Sequence, residues 1–243
     1  MIFLYNKSVF DFIASILYPK KCVSCKKSGS YICADCLSKI IFLEYQLCGV
    51  CQKGSIDGLT HPGCRTQYGI DGIISSIAYK GIVKKLLYQF KYRPFLTELR
   101  TPLGSLFYEG LIQQEAFIKF IEGNILMIAV PLHTDRERKR GYNQSELLSL
   151  ELSKKFFYPY LKDAIFRIRK TAPQFKLSKG ERRVNLKGAF VINLKLKKQI
   201  KGKKILLVDD ITTTGSTLRE CAKILKQSGA AKVLGVTLAH EGG

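Results

Sequence analysis

Apolar and polar positions fall into blocks along this chain. Gly72–Tyr79 (GIISSIAY), Asn124–Val130 (NILMIAV), Lys204–Val208 (KILLV) and Lys232–Leu238 are short, nearly continuous apolar runs, the pattern of strands buried on both faces. Between them, Ile82–Tyr92 reads as a basic amphipathic helix, and Thr97–Ile121 and Ser145–Phe157 as further helices. Ser216–Gln227 is a helix stopped by Gly229. Ala164–Ile168 and Ala189–Ile192 are short strands around a long polar connection. Strands alternating with helices predict an α/β fold, a mainly parallel sheet covered on both faces.

The chain starts differently. In MIFLYNKSVFDFIASILYPKK the residues Val9, Phe10, Phe12, Ile13, Ile16 and Leu17 follow helical spacing, and Pro19 ends the helix. Its apolar face is expected to dock on its own domain, with peripheral membrane contact as the other reading. It lacks a basic segment before the apolar part and a small-residue cleavage site, so no secretory signal is expected. Nor is there a run of about twenty apolar residues that would span a bilayer. Seven of the eight cysteines then crowd between Cys22 and Cys64, and this shift in composition places a boundary near residue 66. The expected organisation is an amphipathic helix over 1–20, a small zinc ribbon over 21–66 and the α/β domain over 67–243.

The cysteines come in knuckles: Cys22-x2-Cys25, Cys33-x2-Cys36, Cys48-x2-Cys51 and His61-x2-Cys64. Each knuckle can grip one side of a tetrahedral Zn²⁺ and two complete a site. Sequential pairing joins the first two knuckles and the last two; interleaved pairing is equally compatible with the spacing. The zinc count is two if His61 serves as the eighth ligand and one if it does not. So short a ribbon buries little core, and metal must hold it folded. Cys221 stands apart and is expected to be a small buried residue.

A second motif is KILLVDDITTTGSTL, residues 204–218. The apolar run is a central strand whose carboxyl end is where open α/β sheets bind ligands. Asp209 and Asp210 can accept hydrogen bonds from two neighbouring ribose hydroxyls. Thr212, Thr213, Thr214, Gly215, Ser216 and Thr217 supply backbone N–H groups and hydroxyls at a helix start, an anion nest reinforced by the helix dipole. The segment resembles the phosphoribosyl-diphosphate motif of type I phosphoribosyltransferases. In purine-salvage members of that superfamily a carboxylate follows the acidic pair by two or three residues as general acid/base. Ile211, Thr212 and Thr213 carry no ionisable group, so sugar-phosphate binding is expected and purine transfer is not.

Charge widens the picture. Forty Lys and Arg against 19 Asp and Glu give a net charge of +21, which attracts nucleic acid, anionic lipid or phosphorylated substrates. Basic clusters at Lys84–Lys85, Lys91–Arg93 and Lys195–Lys204 are partly interleaved with Tyr88, Phe90, Tyr92 and Phe95, and Tyr142 stands near Arg140. Lysine and arginine beside aromatics is the composition that binds single strands, although Phe90 and Phe95 are expected in the core.

Zinc knuckles followed by a phosphoribosyltransferase domain, together with Val130–His133 (VPLH), Arg138–Gln144 (RKRGYNQ), Lys170–Gln174 (KTAPQ) and Leu177–Phe190 (LSKGERRVNLKGAF), resemble the ComF, or ComFC, family of competence proteins. The resemblance implies a cytoplasmic accessory of natural transformation that binds entering single-stranded DNA. Its partners would be the DNA-uptake translocase and recombination mediator proteins. Likeness to the transferase superfamily places a pyrophosphate loop at Leu132 and His133, with Arg136, Arg138 and Arg140 neutralising a diphosphate that carries Mg²⁺. It also implies a loop closing over the site, with Lys170, Gln174, Lys176, Lys179, Arg182 and Arg183 supplying donors. The alternative function is an active Mg²⁺-dependent phosphoribosyltransferase acting on a nucleotide or nucleic-acid acceptor; no catalytic residue is assigned.

Overall fold

The structure is a computed structural model, described here for residues 19–92, 95–169 and 186–242. The amino-terminal helix and the loop residues Lys170, Gln174, Lys176, Lys179, Arg182 and Arg183 lie outside the described residues. The zinc-ribbon segment carries a single-turn helix α1 (Ala34–Leu37) and a two-residue antiparallel pair, β1 (Gln46–Leu47) with β2 (Gly54–Ser55). The main body follows as β3 (Gly72–Ala78), α2 (Gly81–Lys91), α3 (Arg100–Ile112), α4 (Glu115–Ile121), β4 (Ile125–Ala129), α5 (Thr134–Arg140), α6 (Gln144–Phe156), β5 (Ile165–Arg167), β6 (Phe190–Ile192), α7 (Lys197–Ile200), β7 (Lys204–Thr212), α8 (Ser216–Gln227) and β8 (Lys232–His240).

Four strands form one parallel sheet in the order β3-β8-β7-β4. Alternation along β7 shows why its sequence is apolar throughout. Leu206 and Val208 pack with Leu86, Phe107 and Leu148 from α2, α3 and α6. Ile205 and Leu207 pack with Leu218, Ala222 and Leu225 of α8 on the other face. A strand buried on both sides has no solvent face to leave polar.

Two differences from the sequence reading are instructive. The single helix expected over Thr97–Ile121 is broken at Gln113 and Gln114. Gln114 is extended (φ −100°, ψ 114°) and donates from Nε2 to the Leu43 carbonyl at 3.0 Å. A tertiary hydrogen bond to the ribbon segment interrupts the helix, where the sequence offers neither Gly nor Pro. In addition, β7 and β8 run four and two residues beyond their apolar cores, because the ladder continues through Asp209 opposite Thr237, Ile211 opposite Ala239 and Thr212 opposite His240.

The ribbon segment lies directly against the sheet. Phe42 bridges Ile77 and Leu59 bridges Gly72. The buried Gln46 exchanges two hydrogen bonds with the Ser75 backbone, at 2.9 and 3.0 Å.

Candidate functional site

The cysteine knuckles pair sequentially. The ligand atoms of Cys22, Cys25, Cys33 and Cys36 lie within 4.8 Å of one another, as do those of Cys48, Cys51, His61 and Cys64. Zinc–sulfur bonds of about 2.3 Å in a tetrahedron fit such spacing. His61 is oriented for the role: its Nε2 donates to the Gly54 carbonyl at 3.0 Å, and Nδ1 faces Cys51 Sγ at 3.3 Å. That outer hydrogen bond selects the tautomer whose Nδ1 is free to ligate. Burial raises the Cys22 thiol, but backbone N–H groups of Cys25, Cys33 and Ser24 outweigh it and bring the value to about 6. Cys48 is brought to about 7 in the same way by Cys51, His61 and Val50. The backbone thus favours a thiolate at Cys22 and Cys48, while burial and the neighbouring thiols push Cys36 up to about 12 and Cys64 up to about 11.

The second site stands at the carboxyl ends of β4 and β7. After Val208 the chain presents Asp209 and Asp210, turns through Thr213 and Thr214, and enters α8 from Gly215, which has φ +69°. Thr212 Oγ1 accepts from the Gly215 N–H at 3.1 Å, and the Thr214 and Ser216 hydroxyls are 2.8 Å apart. Asp209 accepts from the Ser145 hydroxyl at 2.8 Å and from the Asp210 N–H at 2.9 Å. Burial, then the charge of Asp210, push its carboxyl up to about 7 against the Ser145 hydroxyl and Lys91. Asp210 is buried and paired with Lys91 at 2.8 Å.

The segment RGYNQ, residues 140–144, builds the facing wall. Gly141 ends α5 in the left-handed conformation (φ +85°), and Asn143 caps α6 by accepting from the Ser145 N–H. The Tyr142 hydroxyl donates to the Phe90 carbonyl at 2.6 Å, tying this turn to α2. Arg140 is held by Gln144 Oε1 and lies 5.5 Å over the Tyr92 ring.

Both segments line one cavity of about 550 Å³, to which the first contributes Asp209, Asp210, Thr212, Thr213, Gly215, Ser216 and Thr217 and the chain from β4 through α5 contributes Leu132, Arg136, Lys139 and Arg140. Of the residues expected at a pyrophosphate loop, Leu132, Arg136 and Arg140 line it. His133 and Arg138 are not among its lining residues: His133 caps α5, its Nδ1 accepting from the Asp135 N–H at 3.2 Å, and Arg138 is exposed on that helix. Thr214 is buried behind the loop.

The sequence reading missed Arg167. It is buried, lines the cavity and stacks 5.4 Å from the Phe190 ring. The signal was its parity with buried Ile165 around exposed Phe166, a charge on the inward side of a strand. Phe90 is fully buried as expected, but Phe95 is half-buried and lines the cavity, with φ +57°.

Fold and sites together define a zinc ribbon joined to a phosphoribosyltransferase-type domain, and family models agree. The double zinc ribbon domain matches residues 13–65 and the phosphoribosyl transferase domain residues 128–242. Competence protein F of Haemophilus influenzae is 31% identical over 221 residues, covering 84% of this chain and 94% of its own. Competence protein ComFC of Bacillus subtilis is 25% identical over 87% of this chain and 85% of its own. DNA utilization protein YhgH of Escherichia coli O157:H7 is 44% identical over 107 residues, 44% of this chain and 45% of its own. The chain belongs to the ComF/ComFC family of competence proteins, and its ribbon is a structural zinc module.

Proposed function

We propose that this chain serves natural transformation, binding entering single-stranded DNA and holding a ligand of the phosphoribosyl diphosphate type in its cavity. The names of its relatives, competence protein and DNA utilization protein, support the biological setting. The observation that carries the ligand is the composition of one cavity: carboxylates and a hydroxyl-rich helix start line it together with Arg136, Lys139 and Arg140. Ribose hydroxyls suit the first and a diphosphate the second. Mg²⁺ is a hard ion, and the cavity's carboxylates Asp209, Asp210 and Glu241 are the oxygen donors that would hold it with the ligand; it would neutralise diphosphate charge.

In this reading 21–66 and 67–243 act as ribbon and transferase-like units, and the segment 1–20 supplies any membrane contact from the cytoplasmic side. No helix among the described residues is long and apolar enough to cross a membrane. The uptake translocase and recombination mediators are the proteins between which the strand would pass. Transfer chemistry is the second reading: Asp209 lines the cavity and accepts from the Ser145 hydroxyl, and burial and the charge of Asp210 raise its carboxyl toward the range where protons exchange at neutral pH. Pyrophosphate release on adding a nucleotide or oligonucleotide acceptor distinguishes it.

Two titrations of the full chain test the proposal. Phosphoribosyl diphosphate with Mg²⁺ should bind the wild type and not an Asp209→Asn, Asp210→Asn variant. Labelled oligo-dT should bind both, with a steep salt dependence. Equal ligand binding by the two proteins overturns the cavity assignment, and no oligo-dT binding at low salt overturns the DNA assignment.

A further inference from the structure

A second groove runs along α2, outside the cavity. Its lining is Val23, Ser24 and Lys26 from the first zinc knuckle and Tyr79, Lys84, Lys85, Tyr88 and Gln89 from the sheet edge and α2, enclosing about 470 Å³. Among these described residues are three lysines and no carboxylate. The helix explains the arrangement. Ile82, Val83, Leu86, Leu87 and Phe90 face the core, which leaves Lys84 and Lys85 on the outer side with Tyr88 one turn further on. Lys85 Nζ reaches Ser24 Oγ at 3.4 Å, so helix and knuckle form the two banks of one groove. Lys84 Nζ lies 5.5 Å over the Tyr79 ring.

This groove adjoins the cavity. Tyr79 and Tyr88 line both. Tyr88 is 60% exposed and Tyr92 48%; their ring centroids are 5.0 Å apart, tilted by 38°. Arg140 covers the next position, 5.5 Å over Tyr92. From Lys84 to Tyr92 the helical rise is about 12 Å. Along that length lysines flank two exposed tyrosines, and the run ends at the residues that line the cavity. Large tyrosines left exposed between lysines are poorly explained by packing. They match a ligand with regularly spaced anions and flat apolar rings.

We infer that single-stranded DNA lies in this groove, phosphates on Lys26, Lys84 and Lys85 and bases against Tyr88 and Tyr92, and that the strand leads to the mouth of the sugar-phosphate cavity. The inference rests on the DNA reading above and adds the path. A duplex, its bases already stacked, offers no free faces to the two tyrosines. Zinc at the first quartet has a part here, since it fixes the bank that carries Lys26.

The test is oligo-dT anisotropy with the full chain at several salt concentrations. Lys84→Ala with Lys85→Ala should lower the slope of log affinity against log salt by about 1.4, two phosphate contacts at about 0.7 each for a single strand. Tyr88→Ala should weaken binding roughly tenfold, with a smaller change in slope. Lys223→Ala with Lys232→Ala is the control, removing as much charge at exposed positions outside the basic clusters, on α8 and at the amino end of β8. A wild type that does not bind oligo-dT defeats the DNA reading itself. A wild type that binds, with groove variants unchanged or matched by the control, overturns the path and leaves that reading standing. Circular dichroism melts and zinc content of each variant exclude misfolding as the cause of a loss.

Discussion

Gly215→Ala probes the phosphate loop where it has least room. At φ +69° the residue occupies a backbone region that costs an alanine about 1–2 kcal/mol. Its added methyl would also run into Ile73 Cδ1 and lie 3.5 Å from the Gly49 carbonyl oxygen. Ile73 has no easy retreat on the other side, because a Cβ on Gly49 would meet the same Cδ1 at 2.5 Å and Cγ1 at 2.8 Å. The isoleucine is wedged between two glycines, one on the phosphate loop and one between the zinc ligands Cys48 and Cys51. Forcing it off its rotamer adds roughly 0.5–1.5 kcal/mol. The total is about 1.5–3.5 kcal/mol. The loop can shed this strain by moving off the sheet in the free protein and must recover it when it grips an anion. Affinity for phosphoribosyl diphosphate should therefore fall about ten- to three-hundredfold. Calorimetric titration in Mg²⁺, with a thermal melt and zinc content alongside, measures it. Gly49→Ala should weaken the same ligand by about tenfold through Ile73 alone, although it lies in the ribbon. A dissociation constant within about threefold of wild type for Gly215→Ala, in a folded protein, would refute the loop's assigned part.

The remaining expectations are independent of that loop. Zinc content should be two ions per chain, falling to about one for His61→Ala or Cys64→Ser, since three ligands leave a structural site open; one ion in the wild type contradicts the second quartet. Lys91→Ala leaves Asp210 buried without its partner and should cost about 3 kcal/mol, much of it recovered in Lys91→Ala, Asp210→Asn. Chemical denaturation of the three proteins measures this, and additive losses would contradict it. Asp209 gives a pH dependence of unusual sign. Its folded value, about 7, lies above the ordinary 3.8, so between those values the folded state holds the proton more firmly than the unfolded chain. Stability from this group is then present in acid and declines as pH rises through the window. Asp209→Asn should flatten that decline and raise the melting temperature above pH 7, and an unchanged pH profile would contradict the burial argument.

The legible parts of the molecule share one property: their chemistry is local. Four aliphatics, two carboxylates and a threonine-glycine turn build the β7–α8 loop of the cavity from fifteen consecutive residues. Each zinc quartet is likewise contained within seventeen residues or fewer, which is why the ligands were readable and only their pairing stayed open until folding brought Cys22 to Cys33 and Cys48 to His61. What the sequence hid is tertiary. The break at Gln114 depends on a carbonyl seventy-one residues away. Tyr92 acquires its role by meeting Arg140, and Asp210 by meeting Lys91, pairings that no spacing announces. The arginine run from 136 to 140 was read as one basic cluster, yet a helix turns Arg138 away while Arg136 and Arg140, one turn apart, face the cavity. The seam between ribbon and phosphate loop was invisible for the same reason. Arg219, on α8, donates to the Gly49 and Thr214 carbonyls and to the Ser216 hydroxyl, and Gln52 reaches the Thr214 carbonyl at 3.3 Å. The zinc-binding ribbon therefore buttresses the phosphate loop as well as flanking the groove.

Transformation frequency measures the central claim, that competence depends on an occupied cavity. In naturally transformable cells whose own gene is replaced by the Asp209→Asn, Asp210→Asn form, the exchange keeps the shape of both side chains but leaves Lys91 without its charged partner, so protein level is matched by immunoblot. Frequency should nevertheless fall to that of the deletion strain. Wild-type frequency at equal protein level would contradict the account and leave the cavity without a part in DNA uptake.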